Sequence, residues 1–160
     1  MPKSPDFERS TYIRMKTAII YASVHHGNTK KVVDEIVKNS DTKVDLIDAV
    51  KVKEKDLHGY DRIGFASGIY YSKFYQSVLN FAAVNLPQAK DVFFICTYGG
   101  KENFDSIEEA VKGKNARIIG RFGCKGYDTF GPFKLVGGIA KGHPNEKELS
   151  EAVAFYKALS

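Results

Sequence analysis

From residue 15 onward, apolar and polar positions alternate between two rhythms. Residues 17–23 (TAIIYAS) form a β-rich apolar run. Val32, Val33, Ile36 and Val37 then recur at helical spacing within residues 29–39. Residues 43–49 (KVDLIDA) read as a short, partly alternating strand of the kind found near a sheet edge, followed by a polar connection over 51–59 with room for one helical turn. Residues 60–67 (YDRIGFAS) are a third strand, and 73–85 a helix carrying Val78, Leu79 and Ala82, with Leu86 on the same face. Residues 91–97 (DVFFICT) are the most continuously apolar strand. Phe104, Ile107, Ala110 and Val111 mark the next helical stripe, and 116–122 (ARIIGRF) the fifth strand. The last helix opens at Asn145, an N-cap with Glu148 three residues on, and presents Leu149, Ala152, Val153, Tyr156 and Leu159 for burial.

Five strands alternating with helices predict an α/β fold, a parallel sheet covered on both faces. The near-continuous apolar runs of the first, third and fourth strands fit burial on both sides. The domain spans 15–160. Residues 1–14 read as a tail, poorly ordered or lying on the surface, with two prolines, mixed charges and no apolar face. They lack the apolar core of a secretory signal. One segment breaks the rhythm: the Gly-rich connection over 123–144, long enough to imply function or extra structure.

Composition narrows the classes. With 43% apolar and 27% charged residues, the chain of 160 is an ordinary globule, large enough to fold without disulfides or metal. No apolar run approaches the ~20 residues of a membrane span, so stable membrane insertion is not expected. Cys96 and Cys124 are too few for a disulfide framework or a zinc site, and the cytoplasm is the expected compartment. The net charge of +5 comes from scattered Lys and Arg without a run of five, which argues against nucleic acid. It suits acidic protein partners or anionic ligands, and Lys101 and Lys125 near strand exits are candidates to meet them.

In such a sheet, ligands bind outside the carboxyl ends of the strands. The first exit, Ser23-Val24-His25-His26-Gly27-Asn28-Thr29, enters a helix whose free N–H groups and dipole favour an anion. It has no Walker lysine and no G-x-G-x-x-G, so a loop of neutral donors points to a phosphate monoester. One of His25 and His26 is expected at the phosphate; the residues leave open which. The second exit is Ser67-Gly68-Ile69-Tyr70-Tyr71-Ser72, and the third is Thr97-Tyr98-Gly99-Gly100-Lys101. Each loop alone reads as an ordinary turn. Together, two tyrosine-bearing loops beside an anion loop point to a flat phosphorylated ligand. Cys96 reads as a core residue, and Cys124 as a thiol near the mouth of the site.

This combination resembles the flavodoxin family over residues 15–160, most strongly in Tyr21-Ala22-Ser23 followed by Gly27-Asn28-Thr29 at a helix start. The resemblance implies a three-layer sandwich with five parallel strands in the order 2-1-3-4-5, and FMN as cofactor. It implies phosphate on Ser23, Asn28 and Thr29, and Gly68 near flavin N5, where a peptide flip offers a carbonyl. Tyr70 or Tyr71, together with Tyr98, would flank the ring. The implied function is a low-potential electron carrier between a reductase and an acceptor protein. The alternative is an FMN enzyme on the same scaffold: a quinone reductase, or a quinone-dependent oxidase, since 67–74 resembles the flavodoxin-like protoporphyrinogen oxidases. An enzyme would need a pocket over the flavin, roofed by 127–133. The chain departs from the usual pattern in four ways. Three residues rather than two separate Ser23 from Gly27, there is no Trp, the net charge is positive, and a segment follows Cys124 that short-chain members lack. A response-regulator receiver is disfavoured because the first and third strands end without the carboxylates that hold Mg²⁺.

Overall fold

The computed structural model describes residues 5–6, 14–129 and 131–159. Most of the expected tail lies outside the described residues. The elements are β1 (Lys16–Ala22), α1 (Asn28–Asn39), β2 (Lys43–Asp48), β3 (Arg62–Tyr70), β4 (Lys73–Phe74), α2 (Gln76–Asn85), β5 (Asp91–Tyr98), α3 (Asp105–Val111), β6 (Arg117–Lys125), a 3₁₀ helix (Gly131–Val136) and α4 (Glu146–Lys157).

The sheet order is β2-β1-β3-β5-β6, with β4 paired antiparallel to β3. The five long strands are parallel, so setting β4 aside leaves the expected 2-1-3-4-5 arrangement. The alternation of side chains along each strand divides the core in two. Ala18, Ile20 and Ala22 of β1, with Val92, Phe94 and Cys96 of β5, face α2 and α3. Ile19 and Tyr21, with Phe93 and Ile95, face α1 and α4. Gly64 keeps β3 open for the Phe93 ring, which a Cβ there would strike. The Asn145 cap forms as expected: its side chain accepts the Glu148 N–H, and Glu148 accepts the Asn145 N–H.

Several elements differ from the sequence reading. β3 runs on through Gly68, Ile69 and Tyr70, because Ile69 and Tyr70 pair with Phe74 and Lys73. Tyr71 and Ser72 form the two-residue turn, both with positive φ (47° and 66°), as a tight hairpin of type I′ demands. Residues 73 and 74 are therefore strand, not helix, and α2 starts only at Gln76. Its face of Val78, Phe81 and Ala82 is buried as that register requires. The 51–59 connection holds turns but no helix. β6 extends to Lys125, and the long connection that follows carries the 3₁₀ helix and a single antiparallel bridge between Asp128 and Ile139. Among the described residues, no helix is long and apolar enough to cross a membrane.

Candidate functional site

β1 and β3 are adjacent, and their crossovers leave on opposite sides of the sheet, which opens a crevice at their carboxyl ends. The loop after β1 forms one wall. Gly27, at φ 67°, is the N-cap that turns the chain into α1, and Ser23 Oγ accepts the Lys30 N–H at 3.1 Å. Thr29 is buried, with its hydroxyl 2.9 Å from that of Thr97, which ties the helix start to β5. The hydroxyls of Ser23 and Thr29 thus have partners within the protein. The backbone N–H groups of Asn28 and Thr29, at the positive end of α1, meet no acceptor among the described residues.

Asn28 is buried. Its Nδ2 donates to the Tyr127 carbonyl at 2.7 Å, while its Oδ1 has no partner. A buried carbonyl oxygen left unpaired is costly unless a donor arrives. Gly126 allows this approach: a Cβ there would stand 2.7 Å from Asn28 Nδ2.

The crevice is lined by His25, Asn28, Thr29, Gly68, Ile69, Tyr70, Thr97, Tyr98 and Gly99, together with Gly126, Tyr127 and Asp128. It encloses about 20 Å³, room for one water. Beside it lies a wider cleft of about 290 Å³, bordered by Ile69, Tyr71, Ser72, Tyr98, Gly99, Gly100, Lys101, Asp128, Pro132 and Phe133. The structure therefore gathers residues of all three predicted loops at one place. It separates the two tyrosines of the second loop: Tyr70 turns into the crevice, and Tyr71 stands at the hairpin tip on the cleft wall. Ser67 lines neither. It donates to the Gly68 carbonyl at 2.7 Å and accepts the Tyr75 N–H at 2.8 Å, holding the β3–β4 hairpin to α2. Burial, with Asp128 and Tyr75 nearby, pushes the Tyr70 phenol up to about 12.

The segment after β6 folds back as a strap over these loops. Tyr127 N–H donates to the His143 carbonyl, and Asp128 and Ile139 exchange backbone bonds. Thr129 Oγ1 lies 2.9 Å from Nε2 of both His25 and His26. His25 lines the crevice; His26 is exposed and packs on the Tyr127 ring at 4.4 Å. A single hydroxyl has one proton and two lone pairs, so at least one of the two imidazoles donates to Thr129.

Gly126, Tyr127 and Asp128 are not among the site residues named from the sequence; the last two fall only within the 127–133 stretch expected to roof an enzyme's pocket, and Asp128 is the most consequential of them. It is 9% exposed and lines both crevice and cleft, close enough to Gly99 that a Cβ there would stand 2.8 Å from Oδ2. The only signal in the sequence was the length of the aperiodic segment around it. Cys124 is not at the mouth of the site. It is buried in the α1/α4 core, and burial pushes its thiol up to about 12, so it is poorly reactive.

The far end of the strap is fixed by Glu148, which accepts from His143 Nδ1, the Lys125 N–H and the Asn145 N–H. Burial alone would raise its carboxyl pKa. These donors outweigh it and hold the group below its ordinary value.

The fold and the site define a doubly wound α/β protein with a crevice at its topological switch point. Comparison with known proteins makes the class specific. A family described as "Flavodoxin domain" matches residues 18–127. An uncharacterized protein of Methanocaldococcus jannaschii is 38% identical over 149 residues, covering 91% of this chain and 98% of that one. Among solved structures, a flavodoxin from the domain Archaea superposes with a TM-score of 0.64 at 21% identity, covering 88% of this chain and 93% of that one. Oxidised flavodoxin 1 from Bacillus cereus gives a TM-score of 0.64 at 16% identity, over 91% and 99%. The chain belongs to the flavodoxin-domain family.

Proposed function

We propose that the protein binds FMN at this site and carries electrons between two redox proteins. The observation that carries the reading is the buried, unpartnered Asn28 Oδ1 in the crevice, beside the free N–H groups of α1 and next to a cleft bordered by Tyr71 and Tyr98. The groups match the cofactor in kind. N–H donors at a helix start suit its phosphate. The Asn28 acceptor suits a hydroxyl of its ribityl chain. A cleft walled by tyrosines suits a flat aromatic ring.

Bound there, FMN would supply reversible acceptance of one or two electrons. The chain's own residues bind and orient it. α1 offers N–H groups and its dipole, Ser23 and Thr29 hold the helix start in place, and Gly68 in the crevice wall leaves room for the Tyr70 ring. Lys101 on the cleft wall favours added negative charge and sets a less negative potential than a neutral side chain at that position would.

A cleft of about 290 Å³ sits at the bottom of the range for single small-molecule sites. One ring fills it, which supports a carrier. Pro132 and Phe133 on the cleft wall supply one observation for the enzyme reading, because they cover part of it. Anaerobic stepwise reduction of the FMN-loaded protein, followed by quinone addition, separates the two. A carrier takes up electrons in two resolved one-electron stages and reduces quinones no faster than free FMN does. Uptake in a single two-electron stage with rapid, saturable quinone turnover would establish the enzyme instead.

A further inference from the structure

We propose that the strap after β6 is a lid, latched by Thr129 onto His25 and His26, that must lift to admit the phosphate of FMN; the identity of the ligand rests on the FMN reading above. The two ends of the site differ in room. The ring end has a cleft of about 290 Å³. The phosphate end, where the N–H groups of Asn28 and Thr29 meet no acceptor among the described residues, has about 20 Å³, enough for one water. A phosphate group, with four oxygens around its phosphorus, needs several times that space. The structure therefore presents an open ring site and a closed phosphate site.

The strap is what closes it. Gly126, Tyr127 and Asp128 line the crevice together with Asn28 and Thr29. The Tyr127 carbonyl stands 2.7 Å from Asn28 Nδ2, and Asn28 leaves no space for a Cβ on Gly126. Further along, Thr129 Oγ1 lies 2.9 Å from Nε2 of each histidine, and the His26 ring rests on that of Tyr127 at 4.4 Å. All of these are contacts made by side chains of the loop after β1. Among the described residues, no backbone hydrogen bond joins 126–129 to 23–29. The strap's own backbone bonds run elsewhere. The Gly126 N–H is held by the Tyr98 carbonyl, the Tyr127 N–H by the His143 carbonyl, and Asp128 and Ile139 bond each other in both directions. Residues 127–129 and 139–143 thus form a ribbon that can rise from the loop for the loss of a few side-chain contacts.

The groups that hold the strap down are also suited to what replaces it. Asn28 Nδ2 is a donor, and at least one imidazole donates to Thr129. Lifting the strap frees these donors beside the N–H groups of α1, and phosphate oxygens are stronger acceptors than a hydroxyl or a peptide carbonyl. Opening in the presence of an anion therefore exchanges hydrogen bonds rather than losing them.

Stopped-flow fluorescence of the protein freed of flavin and mixed with excess FMN tests the lid, with riboflavin as the probe that has no phosphate. Rates for FMN are expected to level off as its concentration rises, because opening precedes entry. Rates for riboflavin, which needs only the open cleft, should rise in proportion to concentration. Thr129→Val keeps the shape of the side chain and removes the hydroxyl. It should raise the FMN plateau about tenfold and leave the riboflavin rates unchanged. Thr129→Ser restores the hydroxyl and with it the wild-type plateau. A lid also acts on inorganic phosphate, which should shift the Asn28 and Thr29 amide resonances of Thr129→Val at about tenfold lower concentration than those of wild type. FMN rates proportional to concentration in wild type, a Thr129→Val protein that takes up FMN no faster, or a plateau shared by riboflavin would each overturn the proposal. If neither flavin binds, the cofactor reading fails on its own, and the phosphate titration still decides the lid: a shift at lower concentration in Thr129→Val supports it, and equal concentrations for the two proteins overturn it.

Discussion

The two ends of the sheet treat their polar groups in opposite ways. At the amino end, Arg62 is buried and donates to Thr17 Oγ1 at 3.0 Å and to the Leu159 carbonyl at 3.3 Å, with its guanidinium 4.7 Å from the Tyr156 ring centre. The Tyr156 hydroxyl joins Thr17 and Thr42 at 2.9 and 2.6 Å. Most of the donors and acceptors in this cluster serve one another, and they tie α4 to β1 and β3. At the carboxyl end, an equally buried amide oxygen and the first N–H groups of α1 are left over. A protein keeps such groups unpaired where a ligand supplies the partner. One end is built for stability and the other for binding, and substitutions should separate the two.

The largest effect is expected from Tyr156→Ala, which removes a buried ring together with the hydroxyl that links two threonines. It should cost about 3–5 kcal/mol in urea unfolding, with FMN affinity within about twofold of wild type in the protein that remains folded. A variant that loses flavin but not stability would erase the distinction. At the other end, Gly99→Ala places a methyl against Asp128. It should weaken FMN at least about tenfold while costing about 1–3 kcal/mol of stability. Calorimetry with and without FMN reads both quantities.

The contrast in legibility follows the same division. The parallel sheet could be read from the sequence because strands such as β5 are apolar at nearly every position, which only burial on both faces explains. The Asn145 cap could be read because its chemistry is local. The β3–β4 hairpin could not. Its turn, Tyr71-Ser72, has positive φ at both residues but neither the Gly nor the Asn that announces such a turn. Lys73 and Phe74 merge with the helical stripe that follows. His25, Asn28 and Tyr98 could be placed at strand exits from topology. Asp128 and Thr129 could not, because they reach the site through an aperiodic strap whose path is set by tertiary bonds to Ile139, His143 and the two histidines.

The strap sits between the two extremes, and Glu148 is its fixed point. Glu148→Gln removes the charge that three donors share and should cost about 1–2 kcal/mol. Because its folded pKa lies below the ordinary carboxylate value of about 4.3, Glu148 contributes its stabilisation fully above that value. The contribution is lost as pH falls through the depressed folded pKa. Wild-type stability should therefore drop more steeply than that of Glu148→Gln on acidification below about pH 4. Parallel pH profiles would show that the carboxylate does not anchor the strap. The smallest effect is expected at Lys101. Lys101→Gln should lower the reduction potential of bound FMN by on the order of 50 mV and leave global stability unchanged. Redox titration of both proteins checks it, and an unchanged potential would place the ammonium away from the ring.

The central claim is that the polar groups left over at the carboxyl end hold the phosphate and ribityl chain of FMN. A fluorescence titration comparing FMN with riboflavin, its phosphate-free counterpart, tests it most directly. The account predicts quenched, saturable binding of FMN that is at least about tenfold tighter than that of riboflavin, because the N–H groups of α1 have an anion to meet only in FMN. Equal affinity for the two flavins, or no binding of either, would contradict it.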